Sequence, residues 1–375
     1  MCRAITSLEI DSSCAFGYSE AAMPLNLLDQ TPGDLEALAI RLGEPAYRGD
    51  QLARWIFGKG ITAFDSMTNL PRRFRERLAE EAHVQAPTIV DVLPSRDGSR
   101  KFQIRFADGA EVQAVLMPDD DRLTLCLSTQ VGCGFACRFC LTGTMGVTRN
   151  LTPGEIVGQL FTIRETLREE ERVTHLVYMG MGEPLANYQA TVKSLRILTD
   201  PKGFAYSPRR ITVSTVGLVT GIEKLAKENL RVNLAISLHA TTNQARGELM
   251  PINRGWGLED LLAACRHFPL PVRQRMTFEY VLLADVNDRP EDAQRLFSLL
   301  RGIRAKVNLI PFNPWPGSGF RRPSRDRIEA FQRTLLAHGV TATVRWSKGE
   351  DIGAACGQLG PEAPMARTIE LAYAR

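Results

Sequence analysis

From residue 121 to residue 346 the chain alternates short runs of β-branched and apolar residues with helical patterns, and this rhythm constrains the fold more than any other feature. Strands are expected at Leu123–Thr129, Val173–Tyr178, Arg210–Ser214, Val232–Ser237, Met276–Leu283 and Lys306–Pro311, with helices at about 153–168, 188–198, 219–228, 258–267, 290–301 and 324–337. Parallel strands need crossovers, and a helix is the usual one, so six strand–helix units predict a parallel sheet clad in helices. Curling of that sheet gives an α/β fold of the partial (β/α)6 barrel type, whose functional groups belong at the C-terminal ends of its strands. A last strand, Ala342–Trp346, leads into a C-terminal segment, 347–375.

Upstream the pattern differs. Residues 1–30 lack periodicity and read as a tail, in which Cys2 and Cys14 are incidental. Thr31-Pro-Gly-Asp34 is a helix start, with a Thr cap, proline in the first turn and an early acidic residue. Further helices follow through Tyr47–Phe57 and from Arg72 to Glu80, giving a small helical accessory unit over 31–85. Its row Arg72, Arg73, Arg75 and Arg77 is either a solvated helix face or a phosphate-contacting one. Between 86 and 120 the period changes to two, with Asp-Gly turns at Asp97 and Asp108, and predicts a β-hairpin connection into the barrel unit, 121–346.

Eight cysteines among 375 residues are not spread like a secreted disulfide framework, which points to a reducing, cytoplasmic setting. No run approaches the ~20 apolar residues of a membrane span. Three of the thiols fall within eight residues, Cys133-Gly-Phe-Ala-Cys137-Arg-Phe-Cys140. Such a compact loop can present three thiolates to an iron–sulfur cluster and leave one iron open to a small chelating ligand. The alternative, structural zinc, wants a fourth Cys or His, and none follows within twenty residues.

The later strand ends are polar. Met179-Gly-Met-Gly182-Glu183-Pro184 offers a carboxylate to an ammonium group beside glycines that allow close backbone approach. Ser214-Thr-Val-Gly217, Ser237-Leu238-His239 and Asn313 supply groups suited to a carboxylate, ribose hydroxyls or an adenine edge. His239 alone reads equally as a satisfied structural histidine. On its apolar strand Cys126 reads as core, whereas Cys356, in a Gly-Ala-Ala-Cys-Gly loop, reads as reactive.

The cysteine spacing, Met179–Leu185, Ser237–His239, Asn308–Pro314 and Asp351–Leu359 together resemble the RlmN/Cfr family of radical S-adenosylmethionine (SAM) RNA adenosine methyltransferases, in order over roughly residues 31 to 360. The resemblance implies a helical N-terminal domain before a (β/α)6 barrel. It implies a [4Fe–4S] cluster on Cys133, Cys137 and Cys140, two SAM molecules per turnover, and SAM contacts from Gly182, Glu183, Ser214, Ser237, Leu238, His239 and Asn313. The implied substrates are an adenosine of large-subunit ribosomal RNA and one of transfer RNA anticodon loops, methylated at C2. The implied enzyme is a monomer that needs an electron donor such as flavodoxin or ferredoxin. Cys356 would take the first methyl group, and a hydrogen atom removed from it would let the carbon join C2. Cys126 would then remove the C2 proton and release the product by forming a transient disulfide with Cys356.

Two departures stand out. The family usually carries Glu where this chain has Gln113, and Glu111, on the same strand face, is expected to supply the missing carboxylate. Ser214-Thr-Val-Gly217 replaces the more usual Ser-Thr-Ser-Gly. Pro184 favours the C2 branch over methylation at C8. A noncatalytic, zinc-containing RNA binder is the alternative of a different class. Arg321, Arg322, Arg325 and Arg327 join the first arginine row as candidate phosphate contacts.

Overall fold

The computed structural model describes residues 24–360. The expected tail as far as residue 23, with Cys2 and Cys14, and the C-terminal segment from residue 361 lie outside the described residues. Residues 24–30 are packed rather than tail-like: β1 (Leu25–Asn26) pairs in parallel with β2 (Ala82–His83), and Leu27 and Leu28 are fully buried. Between these strands lie α1 (Pro32–Arg41), α2 (Tyr47–Ala53) and α3 (Arg72–Glu81). The Thr31 hydroxyl accepts from Asp34 N and the Asp34 carboxylate accepts from Thr31 N, satisfying two backbone donors at the start of α1.

The region 86–120 is the antiparallel margin of the main sheet rather than a separate hairpin connection. In it β3 (Thr88–Pro94), β4 (Arg100–Arg105) and β5 (Glu111–Asp119) pair in turn, and β5 pairs with β6 (Arg122–Cys126), the first barrel strand. A separate two-stranded ribbon, β7 (Gln130–Cys133) and β8 (Gly146–Asn150), follows. Then come α4 (Pro153–Arg164), β9 (His175–Tyr178), α5 (Tyr188–Thr199), β10 (Ile211–Thr215), α6 (Val219–Lys227) and β11 (Asn233–Ser237). The unexpected α7 (Asn243–Leu249), whose seven residues lack an apolar stripe, precedes α8 (Leu258–His267). The barrel unit closes with β12 (Met276–Leu282), α9 (Pro290–Leu299), β13 (Ala305–Pro311), α10 (Arg325–Ala337) and β14 (Ala342–Val344).

Strands β6 and β9 to β14 run parallel in chain order, and with β5, β4 and β3 they make one ten-stranded sheet. It ends at β14 on one side and β3 on the other, so the barrel is partial and open. Central strand β12 is buried along its whole length, as expected of a parallel strand covered on both faces. The first barrel strand leaves regular pairing at Cys126, three residues before its expected end, although Leu127 N still reaches Val177 O at 2.8 Å. No helix among the described residues is long and apolar enough to cross a membrane.

Candidate active site at the strand ends

The β7–β8 ribbon brackets the three-cysteine loop, with Cys133 opposite Gly146. Gly132 (φ 80°) sits where a Cβ would lie 2.1 Å from Gly146 O, so only glycine lets the ribbon close. Cys140 N donates to Cys137 O (3.0 Å), and Ala136 takes a left-handed φ of 51° between the first two cysteines. All three are free thiols lining one cavity of about 990 Å³. Burial pushes Cys133 up to about 11 and Cys137 and Cys140 upward too, and the neighbouring sulfurs add to this for Cys133 and Cys137. A cationic metal core relieves both costs. Three thiolates presented from one compact loop suit an iron–sulfur cluster.

The polar wall of the same cavity is built strand end by strand end. After β9, Glu183 is fully enclosed; its Oε1 accepts from Leu185 N (3.0 Å) and its Oε2 from Val216 N (2.8 Å). Burial pushes its carboxyl up to about 7, so an ammonium placed beside it restores the charge. The glycines here serve packing: a Cβ on Gly180 would lie 2.6 Å from Ser128 Oγ, and one on Gly182 2.6 Å from Gln130 Cβ. Ser214, Ser237, His239 and Asn313 line the cavity too. His239 Nδ1 accepts from Val281 N (3.0 Å), which fixes the proton on Nε2, and burial pushes the ring down to about 3, so it is neutral. Leu238 does not join them: its side chain is fully buried, and its backbone bonds to Glu279 O and Arg246.

Cys356 arrives from the far end of the chain, exposed, in a segment held by side chains and by main chain of the three-cysteine loop. Asn313 Nδ2 donates to Cys356 O (3.1 Å), Leu141 N to Gly357 O (2.7 Å), and the Thr142 hydroxyl to Leu359 O. Leu141 and Thr142 directly follow Cys140, so this segment is laced to the three-cysteine loop. Cys356 lines the main cavity and also a second one of about 630 Å³ that contains Cys126. Burial pushes the Cys126 thiol up to about 12, with a smaller push from Cys356.

A model of the "Ribosomal RNA large subunit methyltransferase N-terminal domain" matches residues 25–84, and one of the "Radical SAM superfamily" matches residues 127–297. The "Dual-specificity RNA methyltransferase RlmN" of Syntrophobacter fumaroxidans is 47% identical over 339 residues, 90% of this chain and 99% of that protein. The chain belongs to the RlmN family. The RlmN of Rhodospirillum rubrum is 45% identical and spans 95% of this chain and 85% of its own length. A crystal structure of a radical SAM methyltransferase from Sphaerobacter thermophilus superposes with a TM-score of 0.84 at 45% identity, covering 90% of this chain and 99% of that one. A radical SAM methyltransferase of the RlmN family uses SAM and a [4Fe–4S] cluster, and the three-thiol loop fits that cluster.

Several site residues of this RlmN-family chain gave no sequence signal. Arg345, just past β14, lines both cavities. It is held firmly charged, chiefly by Cys356 and also by Glu279 and Cys126, against the burial that opposes ionisation. Glu279 is 5% exposed; its Oε1 accepts from Asn308 Nδ2 (3.0 Å), while Oε2 has no partner among the described residues. Arg246, with no exposed surface, donates to Val216 O (2.7 Å), Leu238 O (3.2 Å) and Ser237 O (3.3 Å), knitting together the ends of β10 and β11. Glu111 does not reach the site. Its carboxylate is taken by Arg105 and Gln103 on β4, both at 2.7 Å. The arginine rows are largely self-paired: Arg77 donates to Leu42 O, Arg72 pairs with Glu76, Arg322 with Glu350, and Arg327 with Asp285 and Asp288.

Proposed function

We propose that this chain methylates C2 of an adenosine in large-subunit ribosomal RNA, and of one in transfer RNA, with Cys356 as carrier of the methyl carbon. The observation that carries this reading is the position of Cys356 on two cavities, one shared with Cys133, Cys137 and Cys140 and the other with Cys126. A noncatalytic binder has no use for five thiols so arranged.

Cys133, Cys137 and Cys140 hold the cluster, which with SAM supplies the one-electron chemistry that an electron-poor C2 demands. Glu183 takes the SAM ammonium, and Ser214, Ser237 and the His239 Nε2–H face its remaining polar groups. Asn313, tied to the Cys356 backbone, sets the carrier loop rather than acting only on SAM. Arg345, which lines both cavities with Cys356, sets a fixed positive charge beside the sulfur that attacks a methyl group. Cys126 is protonated at rest. A thiolate formed there is a strong base and nucleophile, the properties needed for removing the C2 proton and closing a disulfide onto Cys356.

The scheme requires an external one-electron donor, such as flavodoxin or ferredoxin, and a thiol reductant, which suit a cytoplasmic setting. One chain supplies every group, so the enzyme acts as a monomer. Residues 24–85 and the exposed arginines Arg73, Arg72, Arg321 and Arg325, the last three exchanging Glu76, Asp285 and Glu329 for phosphate, contact RNA, and the target base leaves its stack to enter the cavity.

Mass spectrometry of nucleosides from RNA treated with reconstituted enzyme tests the reading. 2-Methyladenosine is expected; 8-methyladenosine or no product overturns it. Cys356→Ala is expected to abolish methylation, and Cys126→Ala to accumulate a covalent protein–RNA adduct.

A further inference from the structure

Gln113, where the family usually carries a carboxylate, is 3% exposed on β5. Its side-chain amide makes two reciprocal bonds with one distant residue: Nε2 donates to Gly360 O and Oε1 accepts from Gly360 N, both at 3.0 Å. Its backbone joins the same junction. Gln113 O accepts from Ser128 Oγ (2.7 Å), and Ser128 Oγ accepts from Met181 N (2.8 Å). Residue 113 therefore ties together the margin of the sheet, the chain just beyond Cys126, the Met179–Glu183 turn and the end of the Cys356 segment. The receiving position is closely fitted: a Cβ on Gly360 would lie 2.8 Å from Leu141 Cγ.

An amide matches a peptide unit because it offers one donor and one acceptor side by side. An ionised carboxylate offers two acceptors and would set one against the Gly360 carbonyl. We propose that Gln113 is a latch that fastens the Cys356 segment at Gly360 and so positions the carrier sulfur between the two cavities, and that it has no part in proton transfer. This inference rests on the carrier role given to Cys356. Gln113 acts through Gly360, four residues beyond that cysteine, and is a positioning residue.

The test compares Gln113→Ala and Gln113→Glu with the wild-type holoenzyme. Hydrogen exchange of the 355–360 segment is followed by mass spectrometry, alongside turnover on RNA. In Gln113→Ala the Gly360 amide is expected to exchange about tenfold faster, the loss expected for buried hydrogen bonds. kcat is expected to fall to a similar degree with KM for RNA unchanged.

In Gln113→Glu the protonated acid can reproduce both bonds and the ionised form cannot. Exchange protection and turnover, each relative to wild type at the same pH, should therefore be near wild type at low pH and fall as pH rises. The charged groups on neighbouring elements are Glu111, Lys101 and Arg105 on β5 and β4 and Glu183 in the turn; all are common to both proteins, so the ratio isolates residue 113. Unchanged Gly360 exchange in Gln113→Ala, or Gln113→Glu turnover above wild type at every pH, overturns the latch. Should Gln113→Ala not fold, the pH series of Gln113→Glu decides alone. Absence of methyl transfer by the wild-type enzyme would defeat the carrier reading, while the exchange data would still report on the latch.

Discussion

The wall that includes Glu183, Ser214, Ser237 and His239 and the segment that carries Cys356 face the same cavity but are built differently. In the wall each polar group stands at or just beyond the end of a parallel strand, and neighbouring main chain fixes it: Leu185 N and Val216 N on Glu183, Val281 N on His239. The described part of the carrier segment belongs to no strand and contains only short turns, Glu350–Ile352 and one around Cys356 closed by Gln358 N on Ala355 O (3.0 Å). Asn313, Thr142 and Gln113 reach across to bond its backbone. The wall is therefore as rigid as the sheet, whereas the segment rests on a handful of separable contacts. That division suits the proposed reaction, in which one partner would stay fixed while the Cys356 sulfur would meet first a methyl donor, then an RNA base, then Cys126.

The largest effect is expected on the fixed side. Cys137→Ala removes the thiol of the three with the least exposed surface, and loss of bound iron and sulfide together with all methyl transfer is expected. Retention of a full cluster in that variant would detach the three-cysteine loop from the site. An intermediate effect comes from Glu183. Its folded pKa of about 7 lies above the ordinary 4.5, so the unfolded chain releases this proton first as pH rises. Stability is then lost between pH 4.5 and 7, reaching about 3 kcal/mol above that window. Denaturant titrations of the metal-free protein should show this slope in the wild type and lack it in Glu183→Gln. Parallel curves for the two would mean that the carboxyl is not enclosed as described.

The same contrast explains what could be read from the chain. The parallel strands and their helices follow from local periodicity, and the rule that such sheets carry function at their strand ends made the meeting of Glu183, Ser214, Ser237 and His239 on one cavity legible, their contacts to SAM being proposed. Leu238 lines neither cavity because it lies just past β11 with its side chain in the core, before the chain turns at His239 (φ 56°). Residues 24–30 lacked a repeat long enough to register, although Leu27 and Leu28 are buried. The carrier segment left a signal only at Cys356 itself. Gln113 and Gly360 are 247 positions apart, and nothing local to either announces their bond. Arg345 and Glu279 were missed for a related reason: each sits where a strand residue is ordinarily structural, and only the fold brings both onto the cavity beside Cys356. The expectation for Glu111 failed because strand periodicity gives the face of a side chain but not its partner, and Arg105 on the adjacent strand claims it.

The smallest effect separates the two regions most cleanly. Thr142 belongs by sequence to the cluster loop, yet its hydroxyl bonds Leu359 O in the carrier segment. Thr142→Val keeps the shape and removes the donor, leaving one buried carbonyl unpaired at about 1–3 kcal/mol. If the bond serves the carrier, iron and sulfide content and SAM binding stay at wild-type levels. The rate of Cys356 alkylation by iodoacetamide rises several-fold, and turnover falls by a similar factor. If it serves the cluster loop, iron is lost and Cys356 reactivity is unchanged. Because Thr142 lies two residues from Cys140, a clean result of the first kind would show that the carrier segment is fastened independently of the cluster that the same loop holds.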